Sequence, residues 1–308
     1  MDRRTFARNC LVASLAATVS GYKPVLGAEE ILAAPQTGAP DVPFKLSVML
    51  WTVFRDLPFE DRLEKVAAAG YKNVELVGEY QKWSEADYAR ANAKRKQLGI
   101  SFDATAGIKH SLTNPADRDG LLTDLREALG SMEKLECPSI ILLSGNIVPG
   151  MSREDQHQSC IDGLRATAKL VEGKMIAGEP VRLLLETIDP VENPKYFLTS
   201  ANEALDIVKT VNHPQVWFLY DFFHEQIAEG NLIDKLEKNI EHVALVHIAD
   251  VPGRHEPGTG EINYGSIFRK LGELKYRGTV AMEFLPTGDP VAQLRAAREM
   301  AVREASGK

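Results

Sequence analysis

The feature that most constrains the fold is a repeated alternation of short apolar runs with segments of helical period, which begins at residue 45. The apolar runs are residues 45–51, 73–77, 100–106, 139–145, 181–187, 215–221, 242–250 and 279–284. The helical segments between and after them are residues 58–70, 85–99, 118–136, 153–172, 201–211, 231–240, 266–278 and 290–305. Strands that are apolar on both faces are typical of a parallel sheet covered by helices. Eight such units within residues 44–308 predict an α/β fold, a single (β/α)8 TIM barrel.

A doubly wound open sheet is the alternative fold for alternating strands and helices. No G-x-G-x-x-G motif follows any of the apolar runs, so the sequence lacks the usual mark of a dinucleotide-binding sheet. The barrel is therefore the favoured fold.

The N-terminus differs in composition from the rest of the chain. Arg3 and Arg4 precede an apolar stretch and then the small residues "LGA", which is typical of a twin-arginine export signal cleaved after Ala28. Residues 29–43 contain three prolines and no apolar period, so they predict a flexible leader. We therefore expect a periplasmic protein. No apolar run after this segment approaches the roughly 20 residues of a membrane span.

The net charge of the chain limits the classes of partner that the protein can bind. Without residues 1–28 the chain would keep 32 basic and 42 acidic residues, a net charge of −10. Such a protein repels phosphate backbones, which argues against nucleic acid as a partner and favours a small molecule. Cys137 and Cys160 have no metal-type spacing, and whether they pair is open. Whether the protein forms a homo-oligomer is equally open.

Polar residues interrupt or end four consecutive apolar runs: Glu186, Asp221, His247 and Glu283. Their separations of 35, 26 and 36 residues are each about one strand–helix unit. Side chains that leave neighbouring barrel strands at one height converge at the C-terminal mouth. Three carboxylates in one small volume need a counter-charge, and a divalent cation supplies it. Oxygen ligands with one imidazole suit Mn²⁺, Mg²⁺ or Co²⁺.

Further polar residues follow the predicted strands at the same mouth. His224, Glu192 and His110 are candidates for substrate binding. Trp51 ends the first apolar run and could form an apolar wall, although core packing is the commoner fate of a tryptophan. Glu75 belongs to the second run and could face either the barrel interior or the mouth.

Several segments resemble a known family. The loop "PGRHEPGTGEINYG", together with "LLETID" and "YDFFHEQIAEGNL", is similar to the hydroxypyruvate isomerase family of the xylose-isomerase-like superfamily of sugar isomerases and epimerases. "SVMLWTVF" and "PFEDRLEKVAAAGYKNVEL" resemble the start of the same barrel, so the resemblance covers most of residues 45–285.

The resemblance implies that the four strand-end residues bind the metal. It implies that Glu186 and Glu283 also act as acid and base on either side of the substrate, and that Arg254 and His224 contact the substrate. His247 stands where bacterial hydroxypyruvate isomerases have a glutamine, and in this respect the chain is more like the ketose epimerases.

These observations predict a metal-dependent isomerase that moves a carbonyl between adjacent carbons through an enediolate. Hydroxypyruvate, converted to tartronate semialdehyde, or a related small sugar or hydroxy-ketone is the expected substrate. A ketose 3-epimerase and an exported, non-catalytic sugar-binding barrel are the alternatives. An endonuclease-IV-like hydrolase would require a histidine-rich zinc cluster and a basic surface, which seven scattered histidines and an acidic chain do not provide.

Overall fold

In the computed structural model, which describes residues 42–307, eight parallel strands close into a barrel with helices outside it. The eight-unit barrel predicted from the sequence is confirmed. The predicted export signal, residues 1–28, lies outside the described residues, and so does the predicted leader apart from its last two residues. The export signal and the periplasmic location therefore stay predictions.

Ten strands are present in the described residues. In chain order they are β1 Lys45–Met49, β2 Asn73–Val77, β3 Ser101–Ala106, β4 Ser139–Leu143, β5 Met175–Ile176, β6 Glu179–Pro180, β7 Arg182–Glu186, β8 Val216–Asp221, β9 Val243–Ile248 and β10 Thr279–Met282. The barrel order is β1-β2-β3-β4-β7-β8-β9-β10, closed by pairing of β10 with β1. The short strands β5 and β6 form a separate antiparallel hairpin before β7, which the sequence did not predict.

The helices of the described residues surround the barrel. They are α1 Phe59–Ala68, α2 Glu85–Leu98, α3 Arg118–Leu135, α4 Arg153–Val171, α5 Ala201–Val211, α6 Phe222–Ala228, α7 Leu232–Asn239, α8 Tyr264–Glu273 and α9 Pro290–Ala305. The sequence predicted one helix after the sixth barrel strand, and the structure has two, α6 and α7. None of the described helices has the length and apolar character that crossing a membrane requires.

Helix ends follow local sequence signals, and α2 illustrates them. Ser84 accepts a hydrogen bond from the Asp87 amide, and the Asp87 side chain accepts one in return from the Ser84 amide. This reciprocal pair satisfies amides that the first helical turn leaves without partners. At the other end Gly99 has a φ of +66°, a left-handed conformation that costs glycine little.

Two apolar layers fix the level at which the strands end. The larger layer lies between the strands and the helices, and it includes the buried Cys137 and Cys160, which are both free thiols. The smaller layer fills the barrel and consists of Met49, Ala104, Ile141, Leu184, Leu219, Leu245 and Ala281. Because side chains alternate along a strand, the residue two positions after each of these points to the C-terminal mouth of the barrel.

Candidate metal centre

The four polar strand-end residues meet at this mouth. Glu186 ends β7, Asp221 ends β8, His247 lies in β9, and Glu283 directly follows β10. His247 pairs in register with Asp221 on one side and with Ala281, two positions before Glu283, on the other. All four are buried, and one ligand atom from each lies within 4.8 Å of those of the others. The structure thus brings together the four residues that strand spacing had indicated.

His247 lies at the centre of the cluster. Its Nδ1 is 2.8 Å from Glu283 Oε2, 3.3 Å from Glu186 Oε1 and 3.8 Å from Asp221 Oδ2. Its Nε2 is 2.9 Å from Oε2 of Glu75, a fully buried residue of β2 that lies inside the barrel. Glu75 therefore holds the ring from behind and leaves Nδ1 directed at the carboxylates.

The donor set fits a divalent metal ion. His247 Nδ1 and Glu283 Oε2 are buried and lie 2.8 Å apart, and Arg254 Nη2 is 2.8 Å from the same oxygen, yet none of these contacts has the angles of a hydrogen bond. Buried polar atoms without partners are costly, and a bound cation would satisfy both. Three carboxylates with one imidazole are ligands that such an ion accepts in proteins.

The two carboxylate oxygens of Asp221 have different roles: one caps a helix and the other faces the cluster. Oδ1 caps α6 and accepts hydrogen bonds from the amides of Phe223 at 2.7 Å and His224 at 3.2 Å. Oδ2 is left to face His247 and lies 3.5 Å from Arg254 Nη2. The immediate start of α6 after β8 therefore orients the aspartate, and it also places His224 beside the cluster.

Arg254 brings a positive charge to the edge of the cluster. Its Nη2 lies 2.8 Å from Glu283 Oε2, and its guanidinium carbon lies 4.8 Å from the Phe223 ring centre and 5.7 Å from that of Trp51. The Trp51 ring nitrogen donates to Glu283 Oε1 at 2.9 Å. Aromatic rings on two sides and a carboxylate on a third fix the direction of the guanidinium.

His224 and Glu192 lie beside Arg254. His224 Nε2 is 3.3 Å from Arg254 Nη1, and Glu192 Oε2 is 3.8 Å from the same nitrogen. His224 Nδ1 is 2.6 Å from Oδ2 of the buried Asp189, whose Oδ1 accepts from the Glu192 amide. Sequence reasoning missed Asp189, although an acid three residues after Glu186 in "ETID" was a signal for it.

The loop that carries Arg254 is tied down by one buried carboxylate, Asp250. Asp250 Oδ1 accepts from the amides of Val251 at 2.9 Å and Ile262 at 3.0 Å, and Oδ2 accepts from those of Gly258 and Gly260, both at 2.9 Å. A carboxylate that accepts four backbone hydrogen bonds fixes the path of the loop. Asp250 is a second residue that sequence reasoning did not single out.

Known proteins share this chain's sequence and fold. The model of the xylose isomerase-like TIM barrel family matches residues 63–303. A 2-oxo-tetronate isomerase of Pectobacterium atrosepticum is 31% identical over 79% of this chain and 93% of its own. The hydroxypyruvate isomerase of Escherichia coli is 30% identical over 82% of this chain and 97% of its own. The solved structure of an AP endonuclease, family 2, from Brucella melitensis has a TM-score of 0.71 at 28% identity, over 82% of this chain and 96% of that one.

The chain belongs to the xylose isomerase-like TIM barrel family. The two curated relatives, at 31% and 30% identity, are isomerases, and the resemblance inferred from the loop after β9 is confirmed. This member is accordingly an isomerase.

The electrostatics of this xylose isomerase-like barrel reflect crowded carboxylates. Burial raises the pKa of Glu186, although the contact with His247 acts against it. Burial would also raise the pKa of Glu283, but the charges of His247 and Arg254 together outweigh it and lower that pKa. Burial would lower the pKa of His247, but the carboxylates around it, Glu283 first, raise it well above its usual value. In the metal-free barrel a proton on His247 is thus the counter-charge, which a divalent ion would replace.

One predicted substrate-binding residue of this barrel lies apart from the cluster. His110 follows β3, is exposed, and has Nδ1 2.9 Å from Asp124 Oδ2 of α3. Within residues 42–307 no hydrogen bond or ion pair joins His110 to the four cluster residues. The other predicted substrate-binding residues, His224, Arg254 and Glu192, lie next to one another at the site.

Proposed function

We propose that this isomerase acts on small 3-hydroxy-2-oxo acids and moves the carbonyl from C2 to C3, with hydroxypyruvate and 2-oxo-tetronate as candidate substrates. The observation that carries the proposal is the fixed position of Arg254, with Nη2 2.8 Å from Glu283. The similarity to named isomerases of these two acids supports it.

Charge arithmetic explains why Arg254 matters for an acid. Three ionised carboxylates and one divalent ion leave a site charge of about −1, which would repel an anionic substrate. Arg254 brings the total to about zero, and its fork of N–H groups can bind a carboxylate in bidentate fashion. A neutral ketose would not need this cation.

We further propose that Glu186, Asp221, His247 and Glu283 hold a divalent ion such as Mn²⁺, Mg²⁺ or Co²⁺. When bound, such an ion supplies stabilisation of the negative charge that develops on the two substrate oxygens as the proton leaves carbon.

The chain's own residues move the protons. Glu186 and Glu283 come from strands on opposite sides of His247, so they can face the two sides of a substrate bound between them. One glutamate removes the proton from C3 and a glutamate returns a proton to C2. The C3 hydroxyl loses its proton and the former C2 carbonyl oxygen gains one, so the atoms balance without an oxidant. Arg254 and His224 hold the substrate carboxylate and a hydroxyl during this exchange.

His247 favours one alternative, a ketose 3-epimerase, because the sequence resembles the epimerases at that position. In that reaction the proton would return to the same carbon from the opposite face. The two reactions need the same glutamates, so substrate and product must separate them.

The experiment is to incubate Mn²⁺-loaded protein with hydroxypyruvate, 2-oxo-tetronate and a panel of ketoses in D₂O and to follow the products by NMR. We expect turnover of the acids with deuterium entering at C2, and a loss of at least about 10³-fold in kcat for Glu283→Gln and Glu186→Gln. Glu261→Gln is the matched control, since Glu261 lies on the Arg254 loop and contacts Gln226 instead of the cluster.

Each outcome has a distinct meaning. C3 epimers formed from a ketose, with the acids untouched, would replace the proposal by the epimerase. Wild type and Glu283→Gln without measurable turnover of any compound would support a non-catalytic sugar-binding barrel.

A further inference from the structure

The mouth of the barrel has two chemically different halves. The residues two positions beyond the inner apolar layer are polar on β7 to β10, where they form the metal cluster. On β1, β3 and β4 the corresponding residues are Trp51, Ala106 and Leu143. Strand β2 has no residue in that layer: Glu75 pairs there with Met49 and Ala104, and the residue two positions later is Val77. These four side chains are apolar except for the Trp51 ring nitrogen, which donates to Glu283. Trp51 and Ala106 pack against the inner layer. Leu143 pairs in register with Glu186, so the two halves meet at the same height.

The apolar half is open to solvent. Val77 is 39% exposed and Leu143 is 40% exposed, although both follow strand residues that are fully or almost fully buried. The large apolar side chains that the structure of residues 42–307 leaves exposed number six, and five of them lie at this end of the barrel. The five are Leu57, Val77, Leu143, Ile147 and Val191. Apolar surface beside a site is a feature of ligand-binding grooves.

Two of the charged or titratable side chains that follow strands on this side contact other residues. Glu79, which follows β2, lies 3.4 Å from Arg62, and His110, which follows β3, is bonded to Asp124. A chain of hydroxyl groups placed against Val77 and Leu143 would therefore exchange water contacts for apolar ones, which is unfavourable. An alkyl group placed there would gain from leaving water.

We propose that the apolar half of the mouth binds a short alkyl group R on C3 of the substrate, so that the preferred substrate is R–CHOH–CO–COO⁻ with R larger than hydrogen. This inference rests on the proposed isomerase function and specifies its substrate class. The product is R–CO–CHOH–COO⁻: the C3–H bond breaks, a C2–H bond forms, one hydroxyl proton moves between the two oxygens, and R is unchanged. Val77 and Leu143 are then specificity-determining residues.

The test is a series of four substrates with R as hydrogen, methyl, ethyl and hydroxymethyl, the last being 2-oxo-tetronate. Ethyl and hydroxymethyl have nearly the same size, so their ratio of kcat/KM isolates polarity. We expect kcat/KM to rise about fourfold with each added carbon of the alkyl series and to be about tenfold higher for ethyl than for hydroxymethyl.

Variants connect the preference to the two side chains. Val77→Thr keeps the side-chain shape and replaces a methyl group by a hydroxyl. Leu143→Asn keeps the shape approximately and replaces two methyl groups by an amide. Each should lower the ratio of kcat/KM for ethyl to that for hydroxymethyl at least threefold. Met175→Thr is the control, because Met175 is exposed on the β5–β6 hairpin before β7 and away from the mouth.

A hydroxymethyl substrate turned over as well as or better than the ethyl one by wild type would overturn this inference and leave the isomerase proposal standing. The same holds if Val77→Thr and Leu143→Asn leave the ratio unchanged. Absence of turnover for all four compounds would overturn the isomerase proposal and this inference together.

Discussion

Among single residues, Glu75 offers a sharp test of the metal centre because it contacts one ligand from inside the barrel. Its Oε2 is 2.9 Å from His247 Nε2, and its other oxygen has no hydrogen-bond partner among the described residues. A carboxylate behind a metal-binding imidazole orients the ring and raises its basicity, and its loss typically costs 10- to 100-fold in affinity. We predict that Glu75→Gln weakens Mn²⁺ binding about tenfold, measured by competition with a chelating dye.

The stability of the metal-free protein should fall in this variant. Burial raises the pKa of Glu75, although the charge of His247 acts against it. Removing one partner of a buried ion pair leaves the other charge uncompensated, which is strongly destabilising. The metal-free melting temperature of Glu75→Gln should therefore lie below that of wild type. Asp103→Asn is the control, since Asp103 accepts from Ser47 and does not contact His247. Unchanged affinity in Glu75→Gln would contradict the orienting role.

The residues at this site differ in how far sequence could predict them. Glu186, Asp221 and His247 interrupt apolar runs at a regular spacing, and barrel geometry converts that spacing into proximity. Glu75 also lies in an apolar run, but only the closed barrel shows that β2 faces β9 across the interior. The role of Asp189 depends on how the segment after β7 turns to reach His224, and no pattern in one sequence gives that path.

At the scale of elements, the loop of residues 251–262 joins β9 to α8 and carries the only guanidinium that contacts the cluster in the described part of the chain. Four of its amides bond to Asp250. An asparagine can accept at one atom only, so Asp250→Asn would strand two of these N–H groups. Hydrogen bonds to a charged acceptor are worth about 1.5–3 kcal/mol each, enough to loosen the loop.

We predict that Asp250→Asn raises KM for an acidic substrate about tenfold, which corresponds to about 1.4 kcal/mol. Metal affinity should stay constant, since the proposed ligands lie outside the loop, and hydrogen exchange should accelerate at residues 251–262 alone. Asp289→Asn is matched to it, because Asp289 caps α9 by accepting from the Ala292 amide. A fall in metal affinity, or exchange that accelerates throughout the barrel, would show a general loss of structure instead.

The elements that sequence missed are short. The seven residues of α6 begin with two phenylalanines directly after β8, and they are too few to show a clear helical period. The helix starts directly after Asp221, whose Oδ1 caps it. The sequence analysis assigned Asp221 to the metal site and did not identify it as a helix cap. Strands β5 and β6 have two residues each, too few to show a period. Periodic patterns identify long elements and leave such connections undetermined.

At the scale of the whole molecule, the barrel could be predicted because each of its eight units carries the same signal. A strand that is apolar on both faces needs an inner and an outer layer, and the two clusters of buried residues are these layers. The strands then close because repeated right-handed crossovers curve the sheet in one direction. The division of the mouth into a charged half and an apolar half depends on strand order, which only the closed barrel provides.

This arrangement makes global stability depend on the metal. A ligand that binds only the folded state at 100 times its dissociation constant adds about 2.7 kcal/mol to the free energy of unfolding. For a domain of this size each kcal/mol raises Tm by about 2–4 °C, so saturating Mn²⁺ should raise Tm by roughly 5–10 °C, and a chelator should reverse the shift.

The double variant Glu186→Gln/Glu283→Gln loses two of the four ligands and should show no shift in differential scanning calorimetry. An equal shift in wild type and double variant would place the bound ions on other acidic groups of this chain, whose 43 carboxylate residues outnumber its 36 cations. Comparing Mn²⁺, Mg²⁺ and Co²⁺ at equal concentration then ranks the ions by affinity for the cluster itself, because the double variant subtracts binding elsewhere.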